Sequence, residues 1–473
     1  MRASFVCAAV LLLPAGPLPA QTAVALSPAV KAFVSVDAPV VALTHVLEID
    51  GTGAPPAQDR TIVMEGGKIA AVGKTGSVRI PPSAQVLDLA GHTVVPGFVG
   101  LHDHTFYTTS ARSTQLNVSA PRLYLAGGVT TIRTTGSMSP YSEINLKRAI
   151  ERGQAPGPRM YITGPYLTGE GSGSGMHQIL DAESARRVVD YWADEGATWL
   201  KFYTTISRAA MAAAIDEAHK RGLRATGHLC SVSFREAVAL DIDNLEHGLL
   251  VNTDYDPDKQ PDLCPPGAMT KLADFDVSGD AARATFHDMV AHHVAMTSTL
   301  AVFELFVPNR PPLDPRVLDA LAPEVKSEYL GSREKLSQAG AFSVSPELLK
   351  KAMQYEYEFV KAGGLLAAGV DPTGNGGALP GFGDQRNFEL LVEAGFTPVQ
   401  VIQIMSANGA KVLGAFDQFG SITPGKLADL VVVKGDPVKT ASDIRNVVTV
   451  YKEGVGYDSG KLIESVKGTV GIR

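Results

Sequence analysis

Hydrophobic positions divide the chain into three regimes. Over residues 37–94 apolar and polar residues alternate in short runs at 40–49, 60–64, 68–72 and 85–89, parted by Asp50-Gly51, Glu65-Gly66-Gly67 and Ala90-Gly91. A period of two bounded by glycine turns predicts strands of a small β-sheet or sandwich. Residues 21–36 before them carry little pattern and read as a loosely held arm.

From Val95 to about Gly414 the pattern becomes strand then helix, repeated. Eight strand candidates fall at 95–101, 129–133, 159–163, 198–203, 224–228, 244–247, 294–300 and 365–370. The helices between them have legible ends. Ser142 opens one stopped by Gly153, Asp181 one stopped by Gly196, and Ser207 one stopped by Gly222, while Thr397-Pro398 opens the last. Eight β-then-α units predict a parallel (β/α)8 TIM-type barrel over residues 95–414. Short strands return at 420–426, 428–433 and 447–451. Residues 415–473 are therefore expected to join 37–94 in one discontinuous β-sandwich around the inserted barrel. The Pro/Asp-rich interval 249–362 is too long for ordinary connections and reads as a lid or an oligomer contact.

Composition narrows the function. At 473 residues the chain exceeds one ordinary core, and 45% hydrophobic with 19% charged residues is globular rather than disordered. A formal net charge of −7 and the absence of a Lys/Arg run argue against nucleic acid or a membrane surface as partner. Residues 1–20 differ from the rest: Arg2, an apolar run from Phe5 to Leu13, then Pro14-Ala-Gly-Pro-Leu-Pro-Ala20. That order reads as a secretory signal cleaved near Ala20, placing the mature protein in the periplasm or outside the cell. Export permits a disulfide between Cys230 and Cys264, but two cysteines make no framework, and Cys230 reads as a buried thiol.

The chemistry starts at Val95-Pro-Gly-Phe-Val-Gly-Leu-His-Asp-His-Thr-Phe106. On a strand, His102 and His104 face one side and Asp103 the other, which makes a metal half-site of two imidazole nitrogens. Further ligand-type residues end later strand candidates: Lys201 on the fourth, His228 on the fifth, His247 on the sixth and Asp371 on the eighth. In a barrel of this kind those ends form the active face. Singly, each has a bland explanation, such as a satisfied core histidine or a snorkelling lysine. All six at matching strand ends point to one site.

The chain resembles the amidohydrolase superfamily of metal-dependent hydrolases. The resemblance is carried by Pro96-Gly-Phe-Val-Gly-Leu-His-Asp-His104, Gly127-Gly-Val-Thr-Thr-Ile-Arg133, Leu200-Lys-Phe-Tyr203, Gly227-His-Leu229, Glu246-His-Gly248, Ala368-Gly-Val-Asp371 and Ile422-Thr-Pro-Gly-Lys-Leu-Ala-Asp-Leu430. Within it, the chain looks most like the imidazolonepropionase-like proteins and Xaa-Pro or Xaa-Arg dipeptidases. The resemblance implies two divalent metal ions, zinc by preference. His102, His104 and Asp371 would hold one, His228 and His247 the other, and a CO2-derived carbamate on Lys201 would bridge them. Asp371 would act as general base and acid around a bridging hydroxide. Tyr203 and His177 are implied as substrate contacts. The departures are Ser231, where mononuclear deaminases of the family carry glutamate, and Arg133-Thr134 in place of a frequent Arg-Asp.

The expected function is hydrolysis of the amide bond of a small molecule, such as a dipeptide, an N-acyl amino acid or an ochratoxin-like amide of an amino acid, by a homo-oligomer. Hydrolysis of a lactone, carbamate or phosphotriester on the same metals is the alternative, and a non-catalytic binding protein the remote one.

Overall fold

The structure, a computed structural model, describes residues 25–171, 175–338 and 343–472; the signal segment expected at 1–20 lies outside them. Eight parallel strands close into a barrel: Phe98–Asp103, Val129–Thr134, Arg159–Thr168, Trp199–Phe202, Arg224–Gly227, Asn244–Glu246, Ala295–Ser298 and Leu366–Ala368. Closure runs from the eighth strand back to the first, where Ala368 faces Gly100. A two-residue strand, His177–Gln178, adds outside on the far end of the third. Trp199 is fully buried in a cluster with Val99, Leu101, Ala295 and Ala367, so one large ring is matched by alanines on facing strands. Among the described residues no helix is long and apolar enough to cross a membrane.

Strands from both chain ends form one nine-stranded sheet. Its order is Val34–Val36, Val455–Asp458, Val447–Lys452, Leu430–Lys434, His92–Pro96, Val40–Glu48, Ala57–Glu65 and Lys68–Lys74, with Gln85–Asp88 beside Val40–Glu48. The central pair joins the two ends antiparallel, with Val431 opposite Val95. His92–Pro96 runs through Gly97 into the first barrel strand, so this sheet anchors the strand that carries His102. The Leu-Ala-Asp-Leu stretch has a mechanical role: Asp429 takes the Arg159 guanidinium at 2.9 Å and the Glu453 amide at 2.8 Å, fastening sheet to barrel.

Three expectations are corrected. The described part of 21–36 is no loose arm: Ser27 caps Pro28–Lys31, Val30 and Val36 are buried, and Val34–Val36 pairs with Val455–Asp458. Its partners lie more than four hundred residues away, which local periodicity cannot reveal. The helix expected from Ser142 is Pro140–Glu151, opened at Ser139 because Pro140 brings a preset φ to the first helical position. Cys230 is not a free thiol but is disulfide-bonded to Cys264. The bridge ties the loop just past the fifth strand to the 256–264 loop.

The 249–362 interval holds the seventh strand and the helices Asp280–Ala291, Leu300–Glu304, Pro315–Ala320, Pro323–Leu336 and Pro346–Lys361. Glu304, fully buried, receives Arg310 and Arg386, each at 2.7 Å. The Pro315–Ala320 turn is held by the carboxy-terminal tail through Gly468 and Thr469 amides donating to Asp319 and Ala320 carbonyls.

Candidate metal centre

The six ligand-type residues meet at the carboxyl end of the barrel. His102 lies within the first strand, and His104 directly follows it. His228 and His247 come one residue after the fifth and sixth strands, and Lys201 sits in the fourth. Asp371 follows the eighth by three residues. His247 and Asp371 take φ of +66° and +48°, a region most side chains avoid. That turn at each strand end swings the side chain inward, at a backbone cost of order 1–3 kcal/mol of the kind concentrated at functional sites. Gly369 makes room for it, because a Cβ there would meet the His102 backbone nitrogen at 2.3 Å.

Donor atoms of His102, His247 and Asp371 all lie within 4.8 Å of one another. Asp371 stands between the rings: its carboxylate is 3.6 Å from His102 Nε2, 3.4 Å from His104 Nε2 and 4.0 Å from His247 Nδ1. The rings form a chain, with centroids 5.2 Å apart for His102 and His104, 4.5 Å for His102 and His247, and 4.5 Å for His247 and His228.

Hydrogen bonds fix the tautomers of His102 and His104. His102 Nδ1 lies 2.8 Å from Glu246 Oε2. Burial would raise the Glu246 pKa, but Arg133 and Lys201 hold it below the usual carboxylate range. It is therefore acceptor-only, His102 Nδ1 carries the hydrogen, and Nε2 keeps its lone pair. His104 Nδ1 donates to the Gly136 carbonyl at 3.2 Å, again freeing Nε2. His247 Nδ1 shares a 2.7 Å hydrogen bond with Thr299 Oγ1. Its Nε2 is buried with no partner among the described residues, and so is Lys201 Nζ.

Electrostatics favour ligands over cations. Burial, aided by the Lys201 charge, pushes the His228 pKa down to about 4, and burial pushes those of His102 and His247 well below the ordinary imidazole value. Burial lowers the Lys201 pKa to about 8. Burial alone would raise the Asp371 pKa, but its contacts with His102, His104 and Lys201 hold it far below the usual range. Neutral imidazoles at His102, His228 and His247, an ionised carboxylate and an amine of lowered basicity form a donor set that suits a divalent cation.

Of the two expected substrate contacts, Tyr203 is half-buried with its ring 4.9 Å from His228. Its hydroxyl stays protonated because burial raises its pKa. His177 is exposed on the short outer strand and takes no part in the ring contacts.

Several residues at the site were not read from the sequence. Tyr166, buried on the third strand, places its hydroxyl 3.2 Å from His104 Nε2 and its ring 5.3 Å from Tyr203. Phe303 stands edge-on to His247 at 5.5 Å, so the helix after the seventh strand walls the mouth. Glu246 escaped because strand alternation should turn it away from His247; the left-handed turn at His247 breaks that parity. Asp103 is turned from the histidines as expected, and it accepts the Val370 amide at 3.2 Å, tying the first strand to the eighth.

The comparisons with known proteins agree with this architecture. The amidohydrolase family model matches residues 93–249 and 360–457, together more than half of the chain. The chain is similar to an imidazolonepropionase from Streptomyces avermitilis, 29% identical over 154 residues, covering 31% of this chain and 34% of that one. It thus spans only about a third of the length of that curated relative. Among solved structures it is similar to a Xaa-Pro dipeptidase with bound methionine in the active site (TM-score 0.66, 20% identity, 89% of this chain and 100% of that one). It is likewise similar to A. niger ochratoxinase (TM-score 0.64, 18% identity, 89% and 96%). The barrel, the strand-end cluster and the family match together show that the chain belongs to the amidohydrolase family.

Proposed function

We propose that the protein is an exported binuclear metal amidase that cleaves small amides, dipeptides or N-acyl amino acids with a free carboxylate. The observation that carries this is the pair of unpartnered buried atoms, Lys201 Nζ and His247 Nε2, set among lone pairs that converge on Asp371. A bare amine so placed is costly, and as a carbamate it becomes an anionic bridge. His102, His104 and Asp371 would hold one ion, His228 and His247 the second, and carboxylated Lys201 both. Two divalent ions, zinc by preference, would supply the nucleophile at neutral pH and draw charge from the scissile carbonyl. Asp371 takes up the proton released by the nucleophile and returns it to the departing amine. Tyr203 offers its hydroxyl to the substrate's carboxylate or carbonyl, and His177 is proposed to approach the same end from the outer strand. The names of the dipeptidase and ochratoxinase neighbours support an amide substrate; the Cys230–Cys264 bridge supports an oxidising compartment.

The test combines metal analysis with a substrate panel. Close to two divalent ions per chain are expected, with turnover of dipeptides and N-acyl amino acids. Blocking the substrate carboxylate as an amide should cost roughly 2–3 kcal/mol of transition-state binding. Tyr203→Phe and His177→Ala should shrink that discrimination. One ion or none at full activity would reject the binuclear site. Equal turnover of blocked and free substrates, with faster turnover of lactones, carbamates or phosphotriesters, would replace the substrate class.

A further inference from the structure

Directly beneath the histidines, inside the barrel, lies an ion pair that ligand chemistry does not require. Arg133 on the second strand and Glu246 on the sixth are both fully buried. Arg133 Nη2 donates to Glu246 Oε1 at 2.6 Å, to Asn244 Oδ1 at 2.9 Å and to the Leu101 carbonyl, two residues from His104's neighbour Asp103 on the first strand. Thr226 Oγ1 donates to the same Glu246 oxygen. The Trp199 ring lies against the guanidinium at 4.4 Å. The two carboxylate oxygens are thus divided: Oε1 is taken by the cation and Thr226, while Oε2 accepts from His102 Nδ1 at 2.8 Å and, among the described residues, has no other hydrogen bond.

A buried ion pair is weak as a stabilising device, because apolar residues of similar volume generally do as well or better. Its geometry explains its presence differently. A carboxylate clamped on one oxygen cannot rotate away, so its other oxygen accepts a hydrogen in one fixed direction. His102 must then present Nδ1–H downward and Nε2 upward, toward Asp371. Outer hydrogen bonds of this type set ligand orientation and metal affinity.

We infer that Glu246, clamped by Arg133, is a positioning residue that fixes the His102 ring and thereby sets the affinity of the His102–His104–Asp371 side for its metal ion. The inference rests on the metal-centre reading above and adds to it residues outside the ligand set.

The test measures zinc affinity by competition with a chelating dye, together with the melting temperature of the metal-free protein, for wild type and two double variants. E246L/R133M removes both charges at once, so neither is left buried alone. The metal-free protein should melt near the wild-type temperature, yet one of its two zinc ions should bind about 10–100-fold more weakly. E246Q/R133M keeps an amide oxygen where His102 Nδ1 needs an acceptor, and it should recover most of that loss. Wild-type affinity for both ions in E246L/R133M would overturn the inference and leave a purely structural pair. Equal losses in the two variants would overturn it as well. A wild-type chain that takes up no zinc would instead overturn the metal-centre reading, and this inference with it.

Discussion

The two sides of the site differ in how far the protein completes them. On one side every side chain is oriented by a hydrogen bond: His102 is held by Glu246, His104 by the Gly136 carbonyl, and Asp371 by Thr373 Oγ1 at 2.9 Å and through its own amide to the His102 carbonyl. On the other, Lys201 Nζ and His247 Nε2 are enclosed without partners among the described residues, and Thr299 orients His247 by a hydrogen bond. An unmade hydrogen bond in the interior costs about 1–3 kcal/mol, more for a charged group. One side is preassembled, and the other is held in deficit until something binds. Metal loading should therefore be ordered, first ion on the preassembled side.

The largest effect should come from the residue between the sides. Asp371→Asn should lower kcat by roughly 10²–10⁴-fold while keeping its metal better than His102→Ala, because an amide keeps an oxygen donor but cannot take up a proton. A loss under about tenfold would assign the proton to another group. Thr299→Val keeps the shape and removes the hydroxyl. The ion held by His228 and His247 should weaken by about 10–100-fold, measured by chelator competition, with the other ion unchanged. No change would mean that ring packing by His102, His228 and Phe303 orients His247.

Reloading the metal-free protein should depend on pH on the deficient side alone. A lysine attacks CO2 only as the neutral amine, and the Lys201 pKa near 8 leaves about 3% neutral at pH 6.5 but roughly three-quarters at pH 8.5. With zinc supplied and dissolved CO2 held at one concentration, second-ion uptake should speed up about 25-fold over that interval while the first ion enters at a nearly constant rate. Equal pH dependence for both ions would break the distinction. The smallest effect runs the other way. Tyr166→Phe removes the hydroxyl that contends for the His104 lone pair, so the first ion should bind about threefold more tightly, the size of one net hydrogen bond. Weaker binding would instead make the hydroxyl a support for the loaded site.

Legibility did not follow that division. His102, His104, Lys201, His228, His247 and Asp371 could be read because a ligand-type residue at the end of an apolar strand breaks a pattern that is otherwise simple. Closure of eight strands followed from the strand–helix repeat. What stayed hidden depends on contacts between distant residues or on a local break in periodicity. Glu246 sits on the parity that should face away, and only the left-handed turn at His247 reverses this. Tyr166 is one tyrosine among thirteen until the third strand is set beside the first. The disulfide needs the 256–264 loop brought to the fifth strand, and the anchoring of Val34–Val36 needs a partner at Val455–Asp458.

That last pairing governs the order in which the chain can be assembled. Among the described residues the strand Val34–Val36 has a single neighbour, made more than four hundred residues later, and His92–Pro96 offers an unpaired edge until Leu430–Lys434 arrives. Such long-range closure is slow and leaves a sticky edge exposed meanwhile. The first barrel strand runs on from that waiting edge, so the histidine pair gains its full anchorage when about the last tenth of the sequence docks. Newly made protein should pass through a stage with its central helices in place and its metal half-site still unmoored. A chain cut short by a few dozen residues at its carboxyl end would lose its active site from the other end.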